Sequence, residues 1–485
     1  MKRCITIALL FSMLLTLSCG TETPSADTAS TDQIDTSASA VASDPYDDAL
    51  PEFDFGGAEF IMNTRPTTAS SWINPTLDVE SENGDSLNDA IFRRNRTLEE
   101  RFNFKLVVQT EANARRDAAY NAILAGDDSF DVFLLTDRNA LELAKEGMLV
   151  AYDNLEYINL DKPYWHNSIN QSISISNKYY FAYGDFNLIP YDYTHMLVFN
   201  KEVQEDNKLA NPFELVKSGK WTIDAYASMV KDTTRDLDGN ASMDDKDMYG
   251  LQSLSKQVLP GFWIGAGVLS IHKNKDDKPE FTLASDKHFA DVIDKIFDIT
   301  YGNGSYYFNN ATSNADTVST DMFVNNKGLF LDTTFKLITS LRDMDTDFGI
   351  IPYPKWDEAQ KDYCSRVEGG DFPMVPITNK KLEMTGVLLE AMCAESAKHV
   401  IPAYYDKMLK GKVARDEESA EMLDIIFRNR IYDLGDTFWN PILRDGIFLQ
   451  MFNENDRALA SKIAGIEESL RIQIQETIDA FEKIQ

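Results

Sequence analysis

Residues 348–381 read FGIIPYPKWDEAQKDYCSRVEGGDFPMVPITNKK. The first four are apolar and strand-like. Pro352 and Pro354 end that strand, because proline has no N–H to give a ladder and fixes its own backbone angle. After a polar excursion, Gly369 and Gly370 reach backbone angles closed to other residues, so the chain can pass close to another backbone or to a ligand. Residues 375–378 form a second short strand, and Thr378 and Asn379 are cap candidates for a helix whose apolar side is Met384, Leu388 and Ala391. The stretch therefore runs strand, turn, glycine crossing, strand, helix.

Upstream the same alternation continues. Residues 59–63 are a strand; a polar loop with Trp72 leads to a helix in which Ile91, Leu98 and Phe102 recur near multiples of 3.6. Phe104, Leu106 and Val108 alternate as a strand, 114–124 is a helix, and 130–135 is a nearly all-apolar strand of the kind covered on both faces. Strands alternating with helices predict an α/β layer with a largely parallel sheet. Ligands of such sheets sit beyond the carboxyl ends of the strands, which is where Asp137 stands. Further on, YYFAY at 179–183 reads as a strand, 187–190 as a turn and 196–199 as a strand. Near the end Ile463, Ile466, Leu470, Ile474, Ile478 and Phe481 form one core-facing helical stripe.

At 485 residues the chain is too long for one average core, which predicts two domains or three. Lys plus Arg number 47 against 78 Asp plus Glu, a net charge of −31 that excludes nucleic-acid binding through a general electrostatic field. Five scattered histidines form no HExxH pair, and neither a GxSxG elbow nor a phosphate loop is present. Carboxylates are abundant, but no spacing singles out the two a glycosidase needs. Cys364 and Cys393 could pair in an oxidising exterior compartment, but two separate thiols are the favoured reading, and no zinc or redox spacing is present.

The first 19 residues have the layout of a secretion signal: Lys2 and Arg3, then an apolar run from Ile5 to Leu17 that is too short to cross a bilayer as a helix. Leu15-Thr16-Leu17-Ser18-Cys19-Gly20 looks like a bacterial lipoprotein processing site that would lipidate Cys19. Residues 20–50 are Ser, Thr, Asp and Ala with few large apolar residues, and are expected to be a disordered tether.

Several aromatic residues sit in polar or glycine-containing loops: Trp72, Trp165, Tyr193, Trp263, Trp356 and Trp439. A sugar ring has C–H groups on one face and hydroxyls around its edge, so an indole or phenol beneath it with carboxylates beside it makes a clamp. Each tryptophan is also a core candidate. Residues 234–245 match the calcium-loop pattern, with Asp236, Asp238, Asn240, Ser242 and Asp245 as ligands, Gly239 at the sharp turn, and Thr234 where an acid is usual. A structural calcium and an ion-free acidic turn are both open readings.

Taken in order, the quoted stretch, FGGAEFIM at 55–62, GDSLNDAIFRRNRTLEERFNFKL at 84–106, DVFLLTDRNALELAKEGMLVAYDNL at 131–155 and YYFAYGDFNLIPYDYTHMLVFNKEV at 179–203 resemble the extracellular solute-binding proteins that feed ATP-binding-cassette sugar importers. The resemblance implies a two-lobed α/β fold with an inter-lobe hinge. It places one lobe at 51–190 plus 366–400 and the other at 191–365 plus 401–485, with hinge residues Tyr191, Asp192, Gly369 and Gly370. It sets Asp332 and Asp371 beside the ligand and marks Trp221 as a packing residue. It implies a monomeric, non-enzymatic carbohydrate binder, lipid-anchored outside a bacterial cell, with importer permease subunits as partners and no required cofactor. A surface glycan-degrading enzyme, and the same fold binding a peptide or other solute, are the alternatives.

Overall fold

Along the chain the strands are β1 (Ala58–Thr64), β2 (Phe104–Thr110), β3 (Val132–Thr136), β4 (Leu149–Val150), β5 (His195–Asn200), β6 (Tyr249–Gln252), β7 (His272–Lys273), β8 (Pro279–Glu280), β9 (Gly328–Thr334), β10 (Phe348–Ile351), β11 (Ser365–Arg366), β12 (Asp371–Pro376) and β13 (Arg430–Ile431). They come from a computed structural model that describes residues 44–70, 72–110, 115–308, 315–409 and 417–483. The expected secretion signal, Cys19 and tether residues up to 43 lie outside the described residues. Residues 44–50 do not belong to a free tether: Asp48 is buried against Arg101, Oδ2 to Nη1 at 2.6 Å.

A five-stranded sheet has the order β2-β1-β3-β12-β4, and a four-stranded sheet the order β10-β5-β9-β6. In the first, β1 is parallel to β2 and β3, and only β12 runs against its neighbours. In the second, β6 and β9 are parallel and only β5 runs against its neighbours. Each sheet is thus parallel except for the strand that enters it from the other sheet. The fold is two-lobed and α/β.

The helix Ser86–Phe102 shows how sequence fixes an element. Asp85 caps it by accepting from the N–H of Leu87 and Asn88, and Asn103 closes it in the left-handed region at φ 47°. Its buried Leu87, Ile91, Leu98 and Phe102 face the cores, each contributing roughly 1.5–3 kcal/mol by leaving water. Residues 179–183 are not a strand. The Asn170 side chain takes the Tyr183 N–H at its Oδ1, 2.7 Å, and donates from Nδ2 to the Tyr183 carbonyl at 2.9 Å, and pairing with the chain around Trp165 goes no further than a single bridge, Trp165 to Gly184. The expected turn at 187–190 leads into a short helix, Ile189–Asp192. The second strand of the quoted stretch starts directly at the glycine pair rather than at 375.

The last helix, Leu459–Lys483, buries Ile463, Leu470, Ile474, Ile478 and Phe481 along its stripe. Phe481 packs edge-on against Tyr180 at 5.0 Å between ring centroids. Trp221 is buried and donates its indole N–H to the carbonyl of Pro352 at 2.9 Å, a packing role. Cys364 and Cys393 are both free thiols. Among the described residues no helix is long and apolar enough to cross a membrane.

Candidate binding site between the two sheets

Strand direction gathers the polar residues at facing sheet edges. Arg65 follows the carboxyl end of β1 and Asp137 that of β3. Because β12 runs the other way, its first residue, Asp371, pairs with Thr136 at the same edge. On the second sheet Ser253 follows β6, Asp332 lies near the end of β9, and His195, first in the reversed β5, pairs with Thr334. Ligands of α/β sheets bind at such edges.

The chain crosses between the sheets at 191–194 and again at 366–370. The crossings touch through an isolated antiparallel bridge between Thr194 and Val367, and Glu368 donates its N–H to the Tyr193 carbonyl at 3.2 Å. A third segment, not anticipated from sequence, joins them: β13 pairs in parallel with β11. Gly369 and Gly370 have φ of +50° and +116°. A Cβ on Gly370 would meet Ile189 Cγ2 at 2.9 Å and the Tyr183 hydroxyl at 3.0 Å, so both the angle and the space require glycine. At the first crossing Tyr191 donates to Asp185 at 2.8 Å beneath the Arg430 guanidinium. Asp192 accepts from the Tyr404 hydroxyl and the Asn74 N–H, and burial pushes its carboxyl up to about 6.

Next to the crossings lies a narrow crevice with an enclosed volume of about 20 Å³. Trp72, from the loop after β1, lines it together with His195, Ser253, Asp332 and Thr334 from the second sheet's edge, Gln257 from the helix Ser255–Gly265, and Leu254, Leu331 and Leu337. Asp332 is held at both oxygens, Oδ2 accepting from the Ser253 hydroxyl at 2.7 Å and Oδ1 lying 3.2 Å from His195 Nδ1. The Thr334 hydroxyl is buried and has no hydrogen-bond partner among the described residues. A buried hydroxyl in that state calls for a partner from outside the chain, water or ligand.

A buried polar network continues from the crevice into the crossings. His195 Nε2 lies 3.2 Å from Glu368 Oε2, which also accepts from Gln257 Nε2 at 2.6 Å. Arg366 donates to both oxygens of Asp436 at 2.6 and 3.0 Å, and Arg444 reaches Glu368 Oε1 at 3.3 Å. Burial alone would raise the Glu368 carboxyl. The Arg366 charge and the His195 hydrogen bond outweigh it and hold the group well below the carboxylate range.

The residues singled out from sequence divide. Trp72 and Asp332 line the crevice together, and Tyr193, half-buried, stands at the crossing. Asp137 is buried beside Gly369 and accepts the Arg138 N–H at 2.8 Å, and burial pushes it up to about 6. Asp371 is fully buried and paired with Arg65, whose Nε donates at 2.7 Å, so it holds the strand end in place instead of facing open cleft. Three tryptophans expected at the cleft are core residues. Trp165 donates to Glu390 at 2.8 Å, Trp263 donates to Asp433 at 2.8 Å, and Trp439 is buried beside Phe438. In each case the surroundings cover the whole ring and, for the first two, a buried carboxylate satisfies the N–H. Trp356 is half-buried in a separate hollow, edge-on to His288 at 5.1 Å.

Sequence reading passed over His195, Gln257, Arg366 and Glu368. Arg366 and Glu368 were legible in principle, since charges two apart on an extended segment share a side. Their partners come from distant elements and carry no local signal.

In the acidic loop the gathered carboxylates are Asp236, Asp238 and Asp247, with an oxygen of each within 4.8 Å of the others. Asp245 is not among them, and its carbonyl accepts from Lys327 Nζ at 2.9 Å. Asn240 Oδ1 is engaged by the Ser242 N–H at 2.7 Å. Asp236 accepts from the N–H of Gly239 and Ala241, both at 2.7 Å, and Asp247 from those of Asp244 and Leu237, both at 2.8 Å. The N–H bonds to Asp247, Asp244 first, lower its carboxyl. Backbone donors thus compensate part of the charge that an ion would otherwise balance.

A scan against protein-family models finds no match, and a search of curated proteins finds none. Solved structures do match. An ABC substrate-binding protein of Listeria monocytogenes in complex with cycloalternan superposes with TM-score 0.52 at 15% identity, over 86% of this chain and 99% of that one. A cyclo/maltodextrin-binding protein complexed with maltotetraose gives 0.57 at 11%, over 88% and 98%. A sugar transporter protein of Rhizobium etli in an open conformation gives 0.56 at 10%, over 88% and 100%. At such identities the match establishes the fold: the two-lobed architecture of these binding proteins.

Proposed function

We propose that this chain is the substrate-binding component of an ABC importer, taking up a carbohydrate between its lobes and presenting it to the membrane permease. The crevice carries the reading. It brings one indole and three leucines together with hydroxyls, an amide and a carboxylate, with an unpartnered buried hydroxyl among them, a mixture that suits a sugar's apolar face and polar rim. No Lys or Arg lines it, which favours a neutral ligand. As it stands the crevice has an enclosed volume of about 20 Å³, room for little more than a water molecule, so a sugar requires the walls to part about the crossings. Ligand contacts to both walls then favour the shut form.

In this reading the lobes are 51–190 plus 366–400 and 191–365 plus 401–485, and the crossings act as the hinge. The molecule works as a monomer, held to the outer face of the cell membrane through Cys19. No chemical step is assigned. The loop at 236–247 takes a calcium ion in a structural role, and heat on adding calcium to metal-stripped protein is the check. The function is tested by a melting-shift panel of neutral oligosaccharides, uronates and peptides, followed by chromatography of the sugar after long incubation. A neutral oligosaccharide is expected to raise the midpoint and be recovered intact. A shift with peptides alone, or a shortened sugar, contradicts the reading.

A further inference from the structure

His195 stands where the crevice meets the hinge. Its ring is fully buried, with Nδ1 3.2 Å from Asp332 Oδ1 on the crevice wall and Nε2 3.2 Å from Glu368 Oε2 on the crossing. Arg366 Nη1, from the same crossing, lies 3.3 Å from Nε2. Gln257, from the helix Ser255–Gly265, takes an Arg366 N–H at its Oε1 and donates to Glu368. Lys256 and Arg444 face Glu368 from its far side, and Ser253 holds the other oxygen of Asp332. We propose that His195 is a positioning residue whose protonated ring ties the crevice carboxylate Asp332 to the hinge carboxylate Glu368, and that loss of its proton releases the hinge from the crevice wall.

The geometry supplies both states. With the ring charged, Nδ1–H donates to Asp332 and Nε2–H donates to Glu368, so a buried cation sits between two buried anions. With the ring neutral, Nδ1–H still donates to Asp332, while Nε2 becomes an acceptor for Arg366 Nη1–H. One proton leaves to solvent, Glu368 loses a donor, and the bond from β5 to the crossing changes partner. Burial and the Arg366 charge push the ring's pKa down, the hydrogen bonds to Asp332 and Glu368 push it up, and the balance lies above the ordinary histidine value. The tie is therefore whole below the ordinary histidine range and is lost as pH rises through that raised value. This rests on the assigned site, since only a protein that closes on a ligand makes use of a tie between wall and hinge.

Hydrogen exchange of the full chain without ligand tests it, read at the amides of Phe335 and Glu368, which donate to Thr194 and Tyr193. After correction for intrinsic rates, wild-type protection is expected to fall about tenfold as pH rises from 6 to 9, the equivalent of one charge-assisted hydrogen bond. In His195→Gln protection should be low and flat over the same range. If that variant fails to fold, Glu368→Gln serves, keeping the acceptor and removing the charge, and should move the wild-type fall to lower pH. Protection that is flat in the wild type, or that falls alike in wild type and variant, overturns the proposal. A failed sugar panel with the pH fall intact would leave the tie standing and reject the function, so the two failures are distinct.

Discussion

Replacing Trp72 by alanine removes the one large ring that lines the crevice, while the buried cores keep all their members. The expected outcome is a loss of oligosaccharide affinity of about 10- to 100-fold, on the order of 1.4–3 kcal/mol for a buried aromatic anchor, with the melting midpoint unchanged. Trp263→Ala should do the reverse. Its ring is fully enclosed against Phe289 and Phe448, and its N–H satisfies Asp433. Denaturant unfolding should show a loss of about 3–5 kcal/mol. Sequence marked both as tryptophans in loops and could not separate them, because the carboxylate that claims Trp263 lies 170 positions away. Asp137 gives a pH prediction. Its carboxyl is pushed up to about 6 by burial, so the folded chain holds its proton where the unfolded chain has lost it. The stability from this site is whole below about pH 4 and is lost as pH rises through 6. Asp137→Asn should therefore raise stability at pH 8 by roughly 2 kcal/mol and make little difference at pH 4, as chemical denaturation at the two pH values would show.

Among the elements, those whose cause is local were legible. β1, β2 and β10 follow from alternation or a proline stop and lie within two residues of expectation, and the helices Ser86–Phe102 and Leu459–Lys483 carry the apolar periods read from sequence. The 179–183 segment has strand composition, yet the Asn170 side chain engages both main-chain groups of Tyr183, which period and propensity cannot foresee. The segment that joins the crossings was hidden for a related reason: β13 is only a two-residue strand and finds its partner in β11 from far along the chain. Gly369 and Gly370 were legible because a left-handed angle leaves a glycine in the sequence. Gly370→Ala places a methyl group against Ile189 and Tyr183 at an unfavourable φ. It should destabilise by about 1–3 kcal/mol, measured by urea midpoint at constant slope.

At the scale of the whole molecule, two sheets oppose edges that each carry one strand reversed, and the reversal is what brings His195 and Asp371 to the same edges as Asp332 and Asp137. The α/β layers were legible from the order of strands and helices, and the two lobes from the family resemblance. Which rings face the crevice was not, since burial is decided by the assembled chain and half of the expected platforms were drawn into the core. The central claim is that this crevice, lined by Trp72 and Asp332, is where a carbohydrate binds. Its most direct test is a broad array of immobilised neutral oligosaccharides probed with the wild type and with a Trp72→Ala, Asp332→Ala double variant that melts at the wild-type temperature. The wild type should be retained on at least one class of glycan, and the double variant on none. Retention of both proteins alike, or of neither on any glycan, would contradict it.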